Sequence, residues 1–282
     1  MVREKRSKFI AAKVNINQNI FSSDKEKLIT LIPKAINKKA KLEKHSWTWQ
    51  FTDIEFLNMD NKEYIFGNLG KSRFESVDVV DGDKTKAYQI PNPVATSASF
   101  FYDVVDEVLI FEEGPINKNE YMKSFEELVY ASNIEIGEIK INLIPIKDQI
   151  YKEIQSIEVL TKIEFDIIPP NMIEKDTYKS LNQIVNDENA VRMKMVFENQ
   201  DGLNKEGDYI TEGIEMTSNA YAETKAYGYN TVPKAKGKGR KKQRTRFFSN
   251  DSVHQRKLNV NDKPQLLQKL KKFALEIVNI LN

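Results

Sequence analysis

Residues 220–260, AYAETKAYGYNTVPKAKGKGRKKQRTRFFSNDSVHQRKLNV, decide how this chain is read. At their centre, Lys234 to Arg246 holds eight cationic side chains, three of them Arg, and no acid. Such a run calls for a polyanion or for solvent. Lys and Arg that neutralise phosphates release condensed counterions, and this sequence-independent term supplies most of non-specific DNA affinity. The flanks, AYAETKAYGYN before and FFSNDSVHQRKLNV after, alternate as strands do. The reading is therefore a β-hairpin, Tyr221 to Tyr229 against Val253 to Val260, with the basic run as its tip. The plain alternative is a solvated loop, because blocks of like charge repel one another.

Charge along the chain extends this picture. Residues 231–282 hold 14 Lys and Arg against 3 Asp and Glu, and residues 1–44 hold 12 against 4, so both ends are basic and the middle is acidic. Two basic ends folded onto one side would orient a polyanion. The side chains expected on phosphates are Lys234, Lys236, Lys238, Arg240, Lys241, Lys242, Arg244 and Arg246, joined by Lys38 and Lys39 of the N-terminal cluster.

The 282 residues suffice for two ordinary lobes, expected at 1–170 and 171–282. With no Cys, disulfides, thiolate metal sites and a Cys nucleophile are excluded, which fits a cytoplasmic protein. No apolar run approaches the roughly 20 residues of a membrane helix, and MVREKRSKFIAAK lacks the apolar centre of a signal peptide.

Taken in order, VNIN reads as a short strand. Asp24 is placed to cap a helix through KEKLITLIPKAINKKAKL, which Pro33 kinks or splits. Trp47, Trp49 and Phe51 alternate in a strand that turns at MDNKE into EYIFGNLG. The following GNLGKSR has the glycines of a turn and lacks Walker spacing. A long polar connection with Asp78, Asp81 and Asp83 comes next. Two aromatic-rich strands then flank Val105-Asp106, and a helix follows with Asn117 as its cap and Glu120 completing a capping box. That helix buries Tyr121, Phe125, Leu128 and Val129 against the sheet just formed. GEIKINLIPIKDQIYKEIQSIEVLTKIEFDIIPPN gives strand, short helix and strand, the last buried on one face. A helix from Glu174 to about Val185 and a strand at VRMKMVFEN precede a segment, DGLNKEGDYITEGIEMTSN, that fits no period cleanly. The chain closes on a helix, Lys263 to Leu281, whose apolar stripe is core or a dimer seam. The fold class is α+β: mixed, mainly antiparallel sheets with packed helices in two lobes, and a basic hairpin near the C-terminus.

Catalytic constellations are sparse. Glu138-Ile139-Lys140 puts a Glu and a Lys on one strand face, as Mg2+-dependent nucleases require, with Asp103 or Asp106 as possible upstream carboxylates. His45 and His254 are the only histidines, so triads and zinc sites find little support. Tyr221, Tyr227 and Tyr229 are spaced to stack on bases or to pack across strands.

From Ser97 to Ile168, the order SASFFYDVVDEVLIFEEGPINKNEYMKSF, GEIKINLIPI, a short helix and IEVLTKIEFDIIPP resembles the RexA-like phage-exclusion proteins and related prokaryotic defence proteins. The resemblance implies a cytoplasmic, dimeric, sequence-independent DNA-binding sensor of abortive infection that acts with a membrane-channel partner and does not itself insert. The expectation is a non-enzymatic binder of double-stranded DNA through its phosphate backbone, a homodimer, needing no cofactor. The alternatives are a Mg2+-dependent defence nuclease and a protein-interaction module.

Overall fold

The computed structural model describes residues 6–18, 25–38, 40–132, 136–168, 190, 192–235, 237 and 239–281. Among these it has five helices and 14 mostly antiparallel strands in three sheets, an α+β fold. The expected helix from Glu174 to Val185, the capping residue Asp24, and Lys39, Lys236 and Lys238 lie outside the described residues.

The chain folds as two compact units, neither of them a contiguous stretch as the expected lobes 1–170 and 171–282 would be. The first takes Met1–Phe9, Asn19–Ile139 and Arg256–Ile280, and the second Ile10–Gln18, Lys140–Gln255 and Leu281–Asn282. The boundary falls inside three strands: β1 (Arg6–Gln18), β9 (Ile136–Leu143) and β14 (Gln255–Asn259).

In the first unit α1 (Lys25–Asn37) precedes β2 (Lys41–Lys44), β3 (Trp47–Met59), β4 (Lys62–Arg73), β7 (Val94–Asp103) and β8 (Val108–Glu113). The sheet order is β14-β1-β8-β7-β4-β3-β2. Asp60 and Asn61, both with positive φ, form the expected tight turn between β3 and β4. The helix α2 (Lys118–Ser132) lays Phe125 edge-on to Phe51 and Phe100, 5.1 and 5.7 Å between ring centres, while Tyr121 stacks on Phe111 at 4.4 Å. Asn117 caps it, its side chain accepting from the Asn119 amide at 3.0 Å. Glu120 does not complete the box; its carboxylate takes the Lys71 ammonium at 2.9 Å. The closing helix α5 (Lys263–Leu281) buries Leu266, Leu270, Phe273 and Ile277, so its stripe is core.

Several expectations are corrected here. Pro33 sits inside α1 without splitting it, and the helix ends at Asn37, so Lys41 and Lys44 belong to a strand. GNLGKSR is the second half of β4, not a turn: paired on both sides by β3 and β7, its backbone groups are satisfied as a central strand. The polar connection is a two-stranded hairpin, β5 (Ser76–Asp81) and β6 (Lys84–Gln89), closed by Gly82 and Asp83.

The second unit is built on a four-stranded antiparallel sheet, order β11-β10-β12-β13, from β10 (Val159–Ile167), β11 (Met193–Glu198), β12 (Ala222–Pro233) and β13 (Arg240–Phe248). Period-2 alternation sends Ile163, Phe165, Ile167, Ala226 and Phe247 to one face. There they form a core with Ile150 and Ile154 of α3 (Lys147–Ser156) and Ile210 and Ile214 of α4 (Asp208–Ser218). The segment without a clear period is thus α4. One face is given to helices; among the described residues no helix covers the other, the open face.

Candidate nucleic-acid interface

The hairpin exists, but its second arm is the basic run itself. Arg240 to Phe248 pairs residue by residue with β12, from Lys225↔Phe248 to Pro233↔Arg240. The expected partner, Val253 to Val260, instead holds β14 (Gln255–Asn259), which lies in another sheet. The physical reason is plain in retrospect. Alternation RKKQRTRFF also has period 2, with cations on one face where a core-facing strand would have apolar side chains, and β13 is an edge strand, where charge is tolerated.

The register sorts the side chains. Tyr227 stands opposite Arg246, Tyr229 opposite Arg244, Thr231 opposite Lys242, and Pro233 opposite Arg240. Directly opposed residues share a face, so these lie together on the open side. Lys241, opposite Val232, points the other way. Arg240, Lys241, Lys242, Arg244 and Arg246 are all exposed. Among the described residues none of the five has a carboxylate within 4 Å. Their neighbours are rings: the Lys242 ammonium lies 4.2 Å from the Tyr229 ring centre, and the Arg246 guanidinium 5.4 Å from that of Phe248.

Elsewhere on the same face most of the carboxylates are paired. Glu164 takes Lys162 at 2.8 Å and Lys194 at 3.5 Å, Asp166 takes Arg192, and Glu223 lies 3.9 Å from Lys140. Hydrogen bonding to Lys162 holds the Glu164 carboxyl below its ordinary value. The open face is therefore neutralised over β10 and β11 and cationic along β13.

Beyond Tyr229, where pairing with β10 stops, the hairpin continues as a two-stranded ribbon. Glu158 ties down its root, accepting from the Thr231 amide and hydroxyl, each at 2.6 Å, while its own amide donates to Asn230. Those Thr231 hydrogen bonds, helped by the charge of Arg240, keep the Glu158 carboxyl below its ordinary value. At the tip, Gly237 and Gly239 adopt φ of 134° and 127°, a conformation that side chains resist. Lys234 is exposed there.

The remaining sequence candidates are placed as follows. Lys38, in the first unit, donates to the Ser132 carbonyl at 2.8 Å. Tyr221 belongs to the helix-covered side, packed against the core, and Phe248 takes its place among the open-face rings. Phe248 was missed because the sequence reading puts the second arm at Val253 to Val260, whereas it is Arg240–Phe248 that pairs with β12. Asp103 and Asp106 are both engaged by Lys62, and Asp103 also accepts from the Val105 and Asp106 amides. Lys140 of the Glu-x-Lys triplet faces Glu223.

A mixed α+β chain whose open sheet ends in a cationic edge hairpin defines the class of protein. Residues 7–243 match the model of a family described as a domain of unknown function, DUF4747, and the chain belongs to that family. The match takes in the hairpin tip and the first part of β13. No curated protein matches the chain. No described helix is long and apolar enough to cross a membrane.

Proposed function

We propose that this chain binds nucleic acid without reading its sequence, gripping the phosphate backbone through β13 and the hairpin tip. Its setting would be phage defence, as the resemblance to RexA-like proteins suggests, with DNA as the ligand. The observation that supports this reading is the run of five cations within Arg240–Arg246, exposed and, among the described residues, without a carboxylate within 4 Å, in a sheet where Glu164, Asp166 and Glu223 are each paired with a cation. Guarding an edge strand against aggregation takes a charge or two; five go well beyond that need. Same-face cations two residues apart are spaced about 6.8 Å along a strand, close to the separation of successive phosphates in an extended nucleic-acid strand.

The test is a salt titration of binding to labelled duplex DNA, with and without Mg2+, followed by a denaturing gel. Salt-sensitive binding with intact strands supports the proposal. Mg2+-dependent cleavage would replace it with a nuclease, and absence of binding at low salt would assign the basic strand to an acidic protein partner.

A further inference from the structure

Resting on that reading, we infer that the open face of the second unit's sheet takes an unpaired nucleic-acid strand, bases against Tyr227, Tyr229 and Phe248, phosphates against Lys242, Arg244 and Arg246. The two sets form parallel rows. The tyrosines line β12 and the cations line β13, about 4.8 Å away across the ladder, and the register puts them side by side on one face. Phe248 extends the row of rings, edge-on to Tyr227 at 5.9 Å.

A base pair in a duplex hides its faces in the stack, so a row of rings has nothing there to meet. A single strand exposes both features at once: bases with free π-faces and a backbone of phosphates. Aromatic platforms beside cationic grooves are how proteins hold such strands irrespective of sequence. Cross-strand packing explains the ring edges that touch one another. It does not explain why all three rings stay partly exposed on the face that the described helices leave uncovered, each beside a cation with no carboxylate within 4 Å among the described residues. The Lys242 ammonium over Tyr229 and the Arg246 guanidinium beside Phe248 are within reach of a phosphate whose base lies on the neighbouring ring. The matched pairs on β10 and β11 set the limit of the track: with Glu164 and Asp166 already paired to cations, that part of the face offers a phosphate backbone no net attraction.

The experiment uses the full chain and anisotropy titrations with three labelled probes of equal length: oligo(dT), oligo(U) and a DNA duplex. Each is titrated against the native protein and against Tyr227→Leu/Tyr229→Leu, in which leucine keeps apolar cross-strand contact and removes stacking. The expected result is tighter binding of at least one single strand than of duplex, with a loss of roughly 10-fold or more in the double variant for that strand and little change for duplex. Tyr229→Leu alone, at the margin of the β10 pairing, serves as the second variant if the double one melts early. Equal loss for strand and duplex, or no loss for either, overturns the stacking inference. Lys242→Glu/Arg244→Glu separates the two readings. If it abolishes duplex binding while the leucine variant matches native on every probe, phosphate binding stands and the single-strand track falls. If native protein binds none of the probes, both fall.

Discussion

The Lys242 ammonium lies 4.2 Å from the centre of the Tyr229 ring, on the neighbouring strand and the same face. At an exposed site such a contact is worth about 0.5–1 kcal/mol, too little to account for a strand so crowded with charge. The face of the ribbon therefore matters more than its total charge. Lys242→Gln or Arg244→Gln should each reduce the salt slope of duplex binding by about 0.9 while shifting stability by no more than about 1 kcal/mol. Lys241→Gln, on the other face opposite Val232, should reduce it less. Equal effects at all three positions would mean a diffuse charge cloud and no defined track; anisotropy titrations over a range of salt decide.

The root of the ribbon should respond to acid. Glu158 has its carboxyl held below the ordinary 4.5, first by the Thr231 hydroxyl and amide. A carboxyl depressed in the folded state stabilises above its unfolded value, and this contribution is lost as pH falls through the lower, folded value. Local exchange at the Thr231 amide, corrected for intrinsic rates, should therefore accelerate below the usual carboxylate range. Glu158→Ala should bring the same acceleration at neutral pH, with the melting temperature nearly unchanged. Hydrogen exchange read by NMR checks both, and a Thr231 amide equally protected in the variant would remove Glu158 from this role.

How much of this was legible beforehand follows from where the signal resides. Asn117 and the Asp60-Asn61 turn were readable because caps and tight turns are written in a few adjacent residues. The core positions of β10 were readable because Ile163, Phe165 and Ile167 alternate cleanly. The arm of the hairpin was not, since RKKQRTR has no apolar residue to reveal which face is which. Its pairing with Tyr227 and Tyr229 depends on β12 reaching Pro233 as a long strand. GNLGKSR misled for the opposite reason: two glycines suggested a turn, whereas central pairing in the sheet overrides the local preference. The cationic residues were found from composition alone, but their alignment with rings could come only from register.

Gly228 shows how closely the hairpin is docked. A Cβ built there would come 2.1 Å from the Val159 carbonyl oxygen and 2.5 Å from Ile157 Cγ2, beside the irregularity in pairing between Leu160 and Lys162. A carbonyl oxygen of the adjacent strand cannot swing aside as a side-chain tip can. Gly228→Ala should destabilise the fold by about 1–3 kcal/mol, the range for overpacking, and weaken binding by tilting the ribbon. A chemical denaturation curve that superposes on the native one would show that β10 and β12 have room to part.

In the first unit, Lys62 reaches the fully buried Asp103 at 2.6 Å and also pairs with Asp106. Burial raises the Asp103 carboxyl above its ordinary value, partly offset by Lys62, while burial opposes and the two carboxylates outweigh it in raising Lys62. Removing the ammonium alone leaves a carboxylate without a cation at the turn between β7 and β8. Lys62→Met should therefore cost on the order of 3 kcal/mol at neutral pH, as for breaking a buried pair. The sign with pH follows from Asp103. Its folded pKa is raised, so its charge costs stability above that value, and the cost is relieved as pH falls through it. Without Lys62 the carboxyl protonates at still higher pH, so the gap between variant and native should narrow on going from about pH 7 to about pH 5. Asp103→Asn keeps an oxygen to accept from the Val105 and Asp106 amides and carries no charge. Adding it to Lys62→Met should recover part of the loss at neutral pH. Urea denaturation of the two single variants and the double at both pH values closes the cycle; a gap independent of pH would mean that Lys62 contributes through packing of its methylenes and not through its charge.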